Sequence, residues 1–131
     1  IAWLESALAA STARWKVGLM HQPPYSSGQH GSHLAIRDAV RPLFARYGVD
    51  VAFTGHDHHY ERTTAQDGVV WIVSGAGAKL TRVDGADFTA HAESTLQFML
   101  VRIDGDVMDI RAITTDGTVI DQVTLRARTA R

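Results

Sequence analysis

Val49-Asp50-Val51-Ala52-Phe53-Thr54-Gly55-His56-Asp57-His58 is the stretch on which the fold turns. An apolar run of strand length that ends in a histidine-loaded turn reads as a buried strand, Val49 to Phe53, with polar groups at its C-terminal end. Upstream, Trp15 to Met20 has the same form and also ends at a histidine, His21. Between the two lies a segment rich in Pro, Ser and Gly, His21 to Gly31, which reads as an irregular loop. A periodic apolar segment follows, through Leu34, Ile36, Val40, Leu43 and Phe44, and stops at Gly48. Ser32 is placed to cap this helix and Pro42 to bend it. Strand, loop, helix, strand is a βαβ unit with parallel strands. His21 and His56 therefore meet at the carboxyl edge of the sheet, where open α/β sheets bind ligands.

Working outward, Ala2, Trp3, Leu4, Ala7, Leu8 and Ala9 give residues 1 to 13 the pattern of a short amphipathic helix. Beyond Arg62, Gln66-Asp67-Gly68 marks a turn, Val69 to Val73 a strand, and Ser74 to Ala78 a flexible connection, while residues 81 to 94 show no period. Leu96 to Ile103, Val107 to Ile113 and Thr118 to Leu125 alternate apolar and polar residues around Asp104-Gly105-Asp106 and Thr115-Asp116-Gly117, which predicts consecutive antiparallel hairpins. The fold class is α/β, a parallel βαβ unit followed by antiparallel hairpins. Residues 1–131 are expected to form one domain, since a chain 45% hydrophobic and 21% charged has the material for a core.

A net charge of −1, with the basic residues largely scattered, gives no footprint for nucleic acid or an anionic membrane. No run approaches the roughly 18 apolar residues of a membrane span. The chain has no cysteine, so disulfides, thiolate metal sites and cysteine nucleophiles are excluded. Any anionic substrate must be held locally, and the seven histidines are the notable surplus. In Gly55-His56-Asp57-His58, two imidazoles one residue apart in an extended loop point the same way, and Gly55 permits close backbone approach. With His21 they offer three neutral nitrogens suited to Zn, Fe or Mn once carboxylates join them. A lone Gly-His-x-His is as readily a pair of surface histidines; the second histidine at a parallel strand end favours the metal. His33 reads as a helix N-terminal residue and His91 as solvated. Tyr25 lines a pocket or packs, and Ser26-Ser27-Gly28 is a phosphate-facing loop or an ordinary turn. Tyr60, Glu61 and Arg62 either orient the ligand loop or form a plain strand edge.

His21-Gln22-Pro23-Pro24-Tyr25-Ser26-Ser27-Gly28-Gln29-His30, taken with Gly55-His56-Asp57-His58-His59-Tyr60-Glu61-Arg62, resembles the C-terminal half of calcineurin-like metallophosphoesterases of the purple acid phosphatase type. The resemblance implies half of an α/β/β/α sandwich with two metals at the strand ends. It implies hydrolysis of phosphoric esters by a hydroxide bound to both metals, Fe, Zn or Mn. It assigns His21 and His56 to one metal and His58 to the other, makes His30 the catalytic group nearest the leaving oxygen, and puts Tyr25 and His59 beside the substrate.

Of the five ligand blocks of that family only the last two are recognisable, and the chain contains no asparagine to serve as the family's Asn ligand. The 131 residues are therefore expected to be part of a longer molecule, to hold one metal or none alone, and to be inactive alone. An open apolar face is expected to bind the missing N-terminal half or a second copy. The alternative is a stand-alone, non-catalytic interaction module. An extracytoplasmic location is implied by the resemblance alone.

Overall fold

In the computed structural model, which describes residues 1–128, the apolar side chains of the central segments are divided between the two faces of one sheet. The elements in order are α1 (Ala2–Ala10), β1 (Val17–Leu19), α2 (Leu34–Tyr47), β2 (Val51–Thr54), β3 (Tyr60–Thr63), β4 (Val70–Ser74), β5 (Thr89–Glu93), β6 (Gln97–Asp104), β7 (Val107–Thr114) and β8 (Val119–Arg126). The first sheet has the order β1-β2-β4-β3-β5, and β6-β7-β8 form a second. Strands β1, β2 and β4 are parallel, with Leu19 opposite Phe53 and Phe53 opposite Ile72. The crossover from β1 through α2 to β2 is the expected βαβ unit.

Alternation along the strands builds three layers. Ala52 and Trp71 face the helices and pack with Val40, Phe44 and Tyr25, backed by Leu4 and Leu8 of α1. Their neighbours Val51, Val70 and Ile72 face the other way, onto Met108, Ile110 and Ala112 of β7. Each large side chain so buried contributes roughly 1.5–3 kcal/mol. The Phe44 and Trp71 rings stack with centroids 5.5 Å apart, 9° from parallel. Gly18 lets Phe44 lie against β1: a Cβ there would stand 2.6 Å from its ring. The second sheet is the expected meander. At the β3–β4 turn, Asp67 and Gly68 both take positive φ, 50° and 80°, as a type I′ turn requires.

Several boundaries differ from expectation. Helix α2 is capped by His33, whose ring accepts the Ile36 N–H at 3.3 Å. Ser32 instead turns back to Ser26, donating to its carbonyl at 3.2 Å and accepting its N–H at 3.0 Å. Gly48 ends the helix as predicted, at φ 67°. Strand β3 begins where the ligand loop was read, and β5 lies in the segment without a period. The largest correction concerns β1. Expected to be buried, it is a three-residue edge strand paired, among the described residues, only with β2, and Leu19 is 79% exposed. Strand β6 is likewise the edge of its own sheet, with Phe98, Leu100, Val101 and Ile103 exposed. Both edges open on one side, where Val17, Leu19, Met20, Phe53, Phe98, Met99 and Val101 line an apolar groove of about 700 Å³.

Candidate metal centre

Hydrogen bonding between the β1 and β2 chains continues past the strand ends. Met20 N–H donates to Phe53 O at 3.1 Å, and Gly55 N–H to His21 O at 2.9 Å. The two histidine loops thus leave the sheet in register. His21 Nε2 and His56 Nδ1 stand 3.2 Å apart, the rings 80° from parallel. Two nitrogens bound at about 2.0–2.1 Å to one ion are separated by roughly 2.9–3.4 Å in octahedral or tetrahedral geometry. The pair therefore fits two ligands of a single metal. The exposed His30 ring lies beside His56, their centroids 4.8 Å apart.

His56 takes up this position with a backbone φ of 66°, in the left-handed region. That conformation costs a non-glycine residue about 1–2 kcal/mol, and the loop is not extended as first read. Nor is Gly55 the crowded glycine, since a Cβ there would meet only His21 O at 3.9 Å. Crowding falls on Gly75, where a Cβ would lie 2.0 Å from Asp57 O. The 74–78 connection is thus a wall of the histidine loop. His58 is held through its backbone: its N–H donates to Thr81 Oγ1 at 3.0 Å and its carbonyl accepts the Thr81 N–H at 2.9 Å. Among the described residues no group of three or more His, Asp or Glu side chains is gathered to hold an ion.

Two residues expected beside the substrate lie in the interior. Tyr25 is buried against Trp71 and Phe88, with the Arg37 guanidinium over its ring. Burial raises the pKa of its phenol above the usual value, and the nearby Arg41 and Arg37 offset part of that rise. His59 is 0% exposed and shares a contact of 3.2 Å with Glu61 Oε2. Gly28 packs directly on its ring, for a Cβ at Gly28 would stand 2.2 Å from His59 Cε1. The serines are also turned inward. Ser26 Oγ donates to Asp57 Oδ2 at 2.5 Å, and Ser27 donates through its N–H and its hydroxyl to Glu61, each at 2.7 Å. The 26–28 segment therefore faces carboxylates rather than an incoming phosphate.

Asp57 is the residue whose part the sequence reading missed, while Glu61, read as either orienting the ligand loop or forming a plain strand edge, bonds the loop before α2. Asp57 Oδ1 also accepts the His30 N–H at 3.0 Å, and Glu61 Oε1 accepts from Thr89 Oγ1 at 2.5 Å. Burial pushes the Glu61 carboxyl upward, but bonds from His59, Ser27 and Thr89 outweigh it and hold the group below its ordinary value. An ionised Glu61 only accepts, so the His59 proton belongs on Nε2. No apolar period marks these groups: Asp57, His59, Tyr60 and Glu61 are all buried although three of the four are charged or titratable polar residues. Tyr60 and Arg62 play a separate part. Both bond Asp121 on β8, at 2.7 and 2.6 Å, and so tie the two sheets together.

Comparison with known proteins bears on the family and the fold. The signature of the family described as calcineurin-like phosphoesterase matches residues 1–60. Human tartrate-resistant acid phosphatase type 5 is 35% identical over 77 residues, which make up 59% of this chain and 24% of that protein. Purple acid phosphatase 17 of Arabidopsis thaliana is 35% identical over 82 residues, 62% of this chain and 24% of that protein. A purple acid phosphatase from yellow lupin, Lupinus luteus, superposes with a TM-score of 0.81 at 21% identity, covering 95% of this chain and 28% of that one. GAP50, described as the anchor in the inner membrane complex of Plasmodium, superposes with a TM-score of 0.88 at 21% identity, covering 96% of this chain and 41% of that one. These two superpositions speak to the fold alone. The aligned residues span about a quarter of the length of the curated relatives.

Proposed function

From a chain that belongs to the calcineurin-like phosphoesterases of the purple acid phosphatase type, and that carries part of their domain, we propose that these residues form the histidine side of a metal-dependent phosphoric ester hydrolase. The family hydrolyses phosphoric esters at a dinuclear metal centre. In this reading His21 and His56 hold one ion, His58 holds the second, and the ions are drawn from Fe, Zn and Mn. The carrying observation is the 3.2 Å between His21 Nε2 and His56 Nδ1, the spacing of two nitrogens on one metal. When bound, a metal pair lowers the pKa of water and neutralises charge on the phosphoryl oxygens. The composition, with no basic patch, leaves that task to metals.

The chain's own residues do the rest of the work assigned here. His30, exposed beside His56, is on the substrate side and donates a proton from its imidazolium to the leaving oxygen. The 56–58 loop is braced by the Gly75 wall and by Thr81, so the histidines meet the ions pre-oriented. His21, His56 and His58 are fewer ligands than a dinuclear centre requires, and we assign the remaining ligands to polypeptide outside these residues. The groove between the β1 and β6 edges is the surface on which that polypeptide docks, either the remainder of the domain or a second copy. The isolated residues are then inactive.

Elemental analysis of the purified protein tests the assignment. We expect two metals per chain in the complete assembly, about one fewer after His21→Ala or His56→Ala, and phosphatase activity lost with either. Metal content indifferent to both substitutions overturns it. The competing reading is a non-catalytic module holding one metal or none. It predicts at most one metal per chain and no turnover even in the complete assembly.

A further inference from the structure

Resting on that reading, we propose that Asp57 and Glu61 are positioning residues whose buried carboxylates clamp the 26–30 loop to the histidine loop, with Asp57 fixing His30 against His56. Both are 0% exposed, so neither reaches an ion or a substrate, and any effect on the reaction passes through what they hold. They hold the loop along its length. Ser26 is held by its hydroxyl to Asp57, Ser27 by N–H and hydroxyl to Glu61, and His30 by its own N–H to Asp57. Gly28 N–H closes onto Ser26 Oγ at 3.1 Å. Taking a carboxylate out of water is costly unless donors surround it. Asp57 accepts two hydrogen bonds, and the loop supplies both.

The chemistry of the clamp is specific to its place in the chain. Asp57 stands between His56 and His58, so one peptide carries two histidines outward and a carboxylate inward. The His30 backbone is bonded to that carboxylate while its ring lies 4.8 Å from the His56 ring. Position of the proton-donating histidine is therefore set by the same loop that presents the metal-side nitrogens. Glu61 acts one step further out, anchoring Ser27 and, through Thr89, the β5 strand. An open loop bearing His30 would need its orientation supplied by substrate. The clamp supplies it beforehand, which is how a misplacement far from the reacting atoms comes to affect turnover.

The test uses the complete assembly with Asp57→Ala, Asp57→Asn, His30→Ala and the Asp57→Ala/His30→Ala double variant. In the unmodified protein the His30 amide is expected to be protected from hydrogen exchange. In Asp57→Ala it exchanges about tenfold faster or more, while Asp57→Asn, which keeps an accepting oxygen, stays near wild type. Metal content is unchanged in both. Turnover of esters with poor leaving groups falls in Asp57→Ala as it does in His30→Ala, on the order of a hundredfold. The double variant falls no further than His30→Ala alone, and Asp57→Asn recovers most of the rate. Loss of metal in Asp57→Ala, additive losses in the double variant, or an unprotected His30 amide in the unmodified protein each overturn the clamp; the last needs no variant to fold. If the protein neither binds metal nor cleaves phosphate esters while His30 exchange still follows Asp57, the hydrolase reading fails and the clamp stands. If metal and turnover are present and His30 exchange ignores Asp57, the clamp fails and the hydrolase reading stands.

Discussion

Gly75 and Gly77 lie two residues apart in the connection after β4, and replacing each with alanine should give opposite results. At Gly77 a Cβ meets nothing within 4 Å, and at Gly75 it would lie 2.0 Å from the Asp57 carbonyl oxygen and 2.9 Å from its carbon. Real Cβ atoms essentially never approach below 3.0 Å. The Gly75 connection or the histidine loop must therefore move by at least about 1 Å, and the obstacle is backbone, with no rotamer to turn aside. Overpacking of this kind costs about 1–3 kcal/mol, and the rigid obstacle puts Gly75→Ala near 3 kcal/mol. The moving atom is the carbonyl between His56 and His58, so the same displacement degrades the site. Denaturant melts of the two variants beside the unmodified protein, with metal content measured on the same samples, read both effects. Gly77→Ala should leave stability and metal unchanged, while Gly75→Ala loses about 3 kcal/mol and metal together. A Gly75→Ala protein as stable and as metal-loaded as Gly77→Ala would refute the account of the 74–78 connection as a wall of the site.

Three further outcomes follow from other parts of the molecule. At Gly48 the φ of 67° is left-handed while the space is open, its nearest neighbour being Arg128 at 3.7 Å, so Gly48→Ala should cost about 1 kcal/mol in a thermal melt through backbone strain alone. Asp121 is pushed upward by burial, but bonds from Arg62 and Tyr60 outweigh this and hold its carboxyl below the ordinary 3.8. A depressed folded-state pKa contributes stability that is present above 3.8 and lost as pH falls below it. The stability of Asp121→Asn should therefore trail wild type at neutral pH and converge with it on acidification; curves that stay parallel would contradict the pairing. Leu19→Glu with Phe98→Glu, at side chains already exposed in the groove, should leave folding within about 0.5 kcal/mol while abolishing association with the partner polypeptide or a second copy. Sedimentation showing the same species before and after would count against the groove as a docking surface.

The parallel core was legible because Val49 to Phe53 and Trp15 to Met20 are compact apolar runs, and a helix between two such runs leaves one handedness and one sense of pairing. The hairpins of the second sheet were legible from alternation and from Gly105 and Gly117, whose φ values are 54° and 89°. What a single strand's sequence does not carry is which neighbours it will lack. Trp15 to Met20 reads as buried because it is apolar, yet β1 pairs on one side only, and that fact belongs to polypeptide beyond its partner β2. Strand β5, Thr89–Glu93, was hidden for a different reason: its residues are mostly half-exposed and polar, so no apolar period marks it. The capping histidine was missed because Ser32 is the better intrinsic cap, and its hydroxyl was already engaged by Ser26.

Around the site, motif reading selected His21, His56, His58 and His30, named Glu61 as an orienter of the loop or a strand edge, and overlooked Asp57. The physical reason is that a ligand motif was read as a list of letters when its backbone also turns a side chain inward. From Asp57 to Glu61 only His58 is half-buried, while Asp57, His59, Tyr60 and Glu61 are buried. With His56 at φ 66° the loop bends, and Asp57 turns inward to accept from Ser26 and His30. Spacing in this segment is therefore constrained twice, once by the nitrogens that converge at the strand ends and once by the donors waiting in the 26–30 loop. A Gly-His-x-His chosen only for its imidazoles would satisfy the first constraint with any residue in the middle. The aspartate in this chain meets the second as well, through the hydrogen bonds it accepts from Ser26 and His30.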